Sequence, residues 1–151
     1  MANAKTVDAV EVEVRIAASP ETVFDFFTEP DRMIQWMGRS ARLDPRAGGG
    51  FHLDINDEAV ASGEYVAVEP PNRVVFTWGW EGEGSATSPG SSTVEILLAA
   101  DGGGTHLRLI HSDLPSEESA GKHGHGWRHY LDRLATAATG GDPGVDEFGS
   151  A

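Results

Sequence analysis

Cysteine is missing from all 151 residues, which excludes disulfides and thiolate metal sites and suits a reducing compartment. Positive charge is scarce: 11 Lys and Arg stand against 24 Asp and Glu, a formal net charge of -13. That balance speaks against nucleic acid and against an anionic membrane surface, because both are held through basic patches. No apolar run approaches a membrane span, and the opening MANAKTVDAVEVEVRI carries no stretch of signal-peptide length. There is no GxSxG elbow, P-loop or dinucleotide fingerprint, and the Gly48 to Gly50 run is not followed by the helix that phosphate cradling needs. The expectation is a cytoplasmic protein without cofactor, bound to neither nucleic acid nor membrane.

What is present is strong alternation. Val10, Val12, Val14 and Ile16 interleave with Glu11, Glu13 and Arg15, the pattern of a strand with one buried and one wet face. Ser19 then precedes Pro20, Glu21 and Thr22, a serine cap with proline at the first helical position. This helix presents Val23, Phe24, Phe26 and Phe27 and stops near Pro30, and a second short helix fits Asp31 to Trp36. Further strands are expected at Phe51 to Ile55, Glu64 to Glu69, Arg73 to Trp80, Thr93 to Ala99 and Thr105 to His111. Turns fall at Asn56 to Glu58, Pro70-Pro71-Asn72 and Asp101 to Gly104, and the Gly- and Ser-rich stretch from Glu81 to Ser92 reads as a mobile loop with nothing to bury. Trp127, Tyr130, Leu131, Leu134, Ala135 and Ala138 recur at helical steps, so a helix starting at Glu117 or Gly126 runs to Thr139 and ends at Gly140.

This layout predicts an α+β fold in which a curved antiparallel sheet of about six or seven strands wraps a long carboxy-terminal helix, with two short helices after the first strand. One domain over residues 8–140 is expected, with 1–7 and 141–151 as flexible termini. In order, the segments RIAASPETVFDFFTEPDRMIQW, DPRAGGGF, GEYVAVEPPNRVVFTWGW, STVEILLAADGGGTHLRLIHSDLP and HGHGWRHYLDRLA resemble the START-like SRPBCC superfamily. They are most similar to its branch named after the activator of the heat-shock-protein-90 ATPase, over roughly Val10 to Ala138. The resemblance implies a helix-grip fold (START or Bet v-like) enclosing an apolar cavity. It also implies kinship with bacterial single-domain members that bind ligands or are associated with stress, and with polyketide cyclases or aromatases. The eukaryotic co-chaperone of the branch carries an additional amino-terminal domain, which is not expected here.

In the second half of GEYVAVEPPNRVVFTWGW, Val74, Phe76, Trp78 and Trp80 fall on one strand face. Such a wall either fills a thick core or lines a hollow for an apolar guest. The residues expected to line a ligand pocket are Phe27, Trp36, Phe51, Phe76, Trp78, Trp80, His111, Trp127 and Tyr130. His111, in phase with Leu107 and Leu109, is either a hydrogen-bonded core histidine or a general acid/base for a cyclase, aromatase or hydrolase. His123, His125 and His129 invite a metal reading, His125 and His129 standing four apart as helical metal ligands do, but glycines surround them and the glutamate of a hydrolytic zinc helix is missing, so no metal is assigned. The leading expectation is a protein that sequesters or senses a small hydrophobic or aromatic molecule. A cyclase-like enzyme and a chaperone-contacting protein are the alternatives, and a homodimer is a further expected partner.

Overall fold

The structure, a computed structural model, describes residues 9–56, 59–82 and 87–144. Strand β1 (Val10–Ile16) alternates buried and wet positions as its sequence requires. Helix α1 (Pro20–Thr28) begins where Ser19 Oγ accepts a hydrogen bond from the Thr22 backbone N–H at 3.2 Å, and it buries Val23, Phe24, Phe26 and Phe27. Helix α2 (Pro30–Met33) is a single turn, shorter than the expected Asp31 to Trp36. The chain turns after Met33 to bury Trp36, whose indole N–H donates to the Phe26 carbonyl at 3.0 Å.

Six strands follow: β2 (Ser40–Leu43), β3 (Gly50–Asn56), β4 (Ala59–Glu69), β5 (Arg73–Trp78), β6 (Ser92–Asp101) and β7 (Gly104–Ser112). With β1 they make one antiparallel sheet in the order β1-β7-β6-β5-β4-β3-β2. Its concave face and helix α3 (Glu117–Ala138) enclose the core, in the expected α+β helix grip. The outer face is wet and charged: Arg73 pairs with Glu95 at 2.8 Å, Arg108 with Glu11 at 2.5 Å and His106 with Glu13 at 2.7 Å.

Two strand boundaries differ from expectation for local reasons, and the open start of the last helix is decided. Strand β4 starts five residues before Glu64, and within it Gly63 is obligatory because a Cβ there would lie 2.1 Å from the Thr77 carbonyl. Strand β5 ends at Trp78 rather than Trp80. Gly79 lies so close to the returning chain that a Cβ would sit 1.7 Å from the Ser88 carbonyl, and Trp80 keeps only an isolated bridge to Ala61. Helix α3 runs unbroken from Glu117, capped by Ser116 Oγ, which accepts from the Ser119 N–H at 3.1 Å. Gly124, between the two expected starts, lets α3 approach β1 closely, since a Cβ there would reach 3.3 Å from Val10 Cγ1.

Turns behave more nearly as read. Asp101 pairs with Gly104 across a two-residue turn in which Gly102 and Gly103 both have positive φ, as the tight hairpin demands. The Pro70-Pro71 bond is cis. Of the Asn56 to Glu58 turn, residues 57–58 lie outside the described residues, as do 83–86 of the Glu81 to Ser92 loop and 1–8 and 145–151 of the termini. The described flanks of that loop are tied down: the Trp80 N–H donates to the Thr87 carbonyl at 2.7 Å, and Thr87 is buried, contrary to the expectation that the segment buries nothing.

Candidate functional site

The inward set begins with period two. Along β5 the side chains of Val74, Phe76 and Trp78 are buried, along β6 Ser92, Val94, Ile96 and Leu98, and along β7 Leu107, Leu109 and His111. Antiparallel register then fixes neighbours, setting Trp78 opposite Ser92 and Val94 opposite His111. Helix α3 lays Trp127, one helical turn after His123, over the same end of the sheet.

Six of the nine expected pocket residues form one ring cluster here. Phe51 and Phe76 stack at 4.4 Å with planes 7° apart. Trp78 is at the centre, its ring 5.9 Å from Phe51, 5.3 Å from Trp80, 5.2 Å from Trp127 and 6.3 Å from His111. All six are buried except Trp80, which is half-buried at the rim. Phe27 and Trp36 meet edge-on at 5.3 Å beside α1 and α2, and Tyr130, further along α3, sets its ring 4.8 Å from His129.

Polar atoms within the cluster are arranged in sequence. An indole N–H can only donate, so the 2.9 Å bond from Trp127 Nε1 makes His111 Nδ1 an acceptor. The neutral ring then carries its proton on Nε2, which donates to Ser92 Oγ at 2.8 Å, and that hydroxyl donates to the Trp78 carbonyl at 2.7 Å. A parallel argument fixes His123. Its Nε2 accepts from Trp80 Nε1 at 3.1 Å, so Nδ1 bears the proton and donates to the Ser119 carbonyl at 2.8 Å. The two imidazoles lie 4.9 Å apart, nearly perpendicular.

Neither ring can take a second proton without losing a tryptophan bond. Burial holds the His111 imidazole down at about 3 from an ordinary 6.5, reinforced by the neighbouring His123. His123 is also lowered, by burial, against which its bond to Ser119 works weakly. A general acid/base needs a free or exchangeable site near neutral pH, and His111 has both nitrogens occupied. Its role in this geometry is to join sheet to helix.

Ser92 and Tyr65 belong to the site and were not singled out from sequence, and His123 was noticed there only as a metal candidate. Ser92 is in phase with Val94 and Ile96, and His123 is four residues before Trp127, so both were open to recognition by period alone. Tyr65 braces the other side: its ring is edge-on to Phe51 at 5.7 Å and its hydroxyl donates to the Phe27 carbonyl at 2.8 Å. Burial, with Asp44 adding to it, raises the Tyr65 phenol well above its ordinary value, so it stays protonated.

An open hollow of about 440 Å³, sharing Phe51 with the ring cluster, lies among β2, β3 and β4, with Arg42, Asp44, His52, Ser62 and Gly63 also on its wall. Among the described residues no group of three or more His, Asp or Glu converges as metal ligands would. None of the described helices is long and apolar enough to cross a membrane.

The profile of the family described as Activator of Hsp90 ATPase homolog 1-like protein matches residues 17–139. Among solved structures, the chain is similar to an AHSA1-like protein of Rhizobium etli, with 43% identity, TM-score 0.73, and coverage of 93% of this chain and 87% of that one. It is similar to CalU16 of Micromonospora echinospora at 32% identity and TM-score 0.75, covering 95% and 72% of the two chains. DynU16, from the dynemicin biosynthetic locus, matches at 28% identity and TM-score 0.76 over 90% of this chain, which spans about half (49%) of the DynU16 chain. No curated protein sequence matches significantly.

Proposed function

Since the chain belongs to the activator of Hsp90 ATPase homolog 1-like family, we propose that it binds a small apolar, aromatic molecule between α3 and the concave face of the sheet and releases it unaltered. The observation that carries this reading is the ring cluster around Trp78, which brings Phe51, Phe76, Trp80 and Trp127 from three different elements and the β5 edge to one place. Aromatic faces and edges accept a further ring in stacked or edge-on contact at little cost in specificity. Access is by the amino-terminal half of α3. Gly121, Gly124 and Gly126 each weaken that half by up to ~1 kcal/mol relative to alanine, whereas Leu131 and Leu134 anchor the other half in the core. His123, at the rim, would move with it and part from the Trp80 indole, which the sheet side holds.

Binding is favoured over chemistry because the buried His111 and the half-buried His123 have their nitrogens engaged and their pKa values lowered by burial. The biosynthetic setting of DynU16 accords with a small-molecule ligand. Burial of apolar ligand area at about 25 cal/mol per Å² supports micromolar affinity without a covalent step. The test is a titration of the intact protein with two- and three-ring aromatics, followed by tryptophan fluorescence, with mass spectrometry of the recovered ligand. A saturable change and an unchanged ligand mass are expected. No saturable change across the panel would refute binding, and an altered mass would replace the binder with an enzyme.

A further inference from the structure

The chain has four tryptophans, and three of their indole N–H groups have found acceptors. Trp36 donates to the Phe26 carbonyl, Trp80 to His123 and Trp127 to His111. The fourth has none among the described residues: Trp78 Nε1 is buried without a hydrogen-bond partner there, in a residue only 3% exposed. Buried donors are seldom left so, because the bond to water has been given up and nothing replaces it.

The polar acceptors of the ring cluster bond to other donors. The carbonyl of Trp78 takes the Ser92 hydroxyl, His111 Nδ1 takes the Trp127 indole, and His123 Nε2 takes the Trp80 indole. Resting on the proposed binding of an aromatic molecule in this cluster, we infer that the ligand is an aromatic carbonyl compound, a ketone or quinone, whose oxygen accepts the hydrogen bond from Trp78 Nε1. A carbonyl oxygen accepts without donating, so it meets the unspent Trp78 donor and brings no N–H or O–H that would itself go unmatched. The flat Phe51 and Phe76 pair, stacked beside Trp78, suits the planar conjugated ring of such a molecule.

The test compares 9-fluorenone with fluorene, two probes of nearly the same shape that differ in the carbonyl. With wild-type protein, fluorenone should bind roughly tenfold tighter, the worth of one neutral hydrogen bond. In a ¹H–¹⁵N spectrum, the indole resonance of Trp78 should move downfield with fluorenone and much less with fluorene. Trp78→Phe should bring the two affinities together. If that variant does not fold, the wild-type indole resonance alone decides. Equal binding of the two probes with an unmoved Trp78 resonance overturns the carbonyl assignment and leaves the pocket standing. Failure of both probes to bind, alongside a silent aromatic panel, overturns the pocket and the assignment together.

Discussion

Lowering the pH should weaken the fold through His111 before the carboxylates titrate. In the unfolded chain this imidazole takes up a proton around 6.5, while in the folded chain it resists until about 3. Between those values the unfolded state holds more protons, so stability rises with pH and is lost as pH falls. The loss begins near 6.5 and levels off below about 3, where both states are charged. Integrating over the step from pH 6 to pH 5, the single unfolded-state histidine gives a loss of about 1.2 kcal/mol, and by pH 4 about 2.5 kcal/mol. The depressed His123 adds in the same direction. Urea unfolding at half-unit pH steps would read the slope. His111→Gln keeps an acceptor for Trp127 and a donor for Ser92 but cannot titrate, so its loss from pH 6 to pH 5 should be smaller by about 1.2 kcal/mol. Parallel curves for wild type and variant would refute the neutral, doubly bonded His111.

Backbone proximity makes a second expectation at the end of β5. Gly79→Ala must displace the Ser88 carbonyl and should cost more than about 2 kcal/mol, whereas Gly50→Ala, with nothing within 4 Å, should stay within about 0.5 kcal/mol; thermal unfolding of both variants checks the contrast. Tyr65→Phe removes the hydroxyl that satisfies the buried Phe27 carbonyl. A loss of about 1–2 kcal/mol is expected in chemical denaturation, with the far-ultraviolet spectrum unchanged.

Period and punctuation carried much of this fold. The valines of β1, the Ser19-Pro20 start of α1 and the alternation through Trp78 each express a local preference that the tertiary structure keeps. Strand β2 left no such mark, because Ser40–Leu43 is four residues long and lies at the sheet edge with a partner on one side only. The over-long reading of β5 came from counting Trp80 by phase. Phase ignores that Gly79 passes almost against Ser88, a contact between residues nine apart that no window of alternation contains. For the site, the ring residues of β5 and α3 were legible one by one, since each shows its face by spacing. Their hydrogen bonds were not: whether His111 meets Ser92 and Trp127 depends on the register of β6 against β7 and on the depth at which α3 rests. The metal reading grouped His123 with His125 and His129, whereas His123 instead turns to the ring cluster, bonding Trp80 and standing edge-on to His111.

The crowding of Trp80 and Trp127 on either side of Trp78, at ring separations of 5.3 and 5.2 Å and with planes inclined at 84° and 52°, has an optical consequence. Chromophores so close and so oblique share their electronic excitation, and the coupled transitions give a pair of circular-dichroism bands of opposite sign overlying the peptide signal. Helix content read from the ellipticity of this protein alone would therefore be in error, and the size of that couplet would report directly whether the three indoles keep their mutual orientation when a guest arrives.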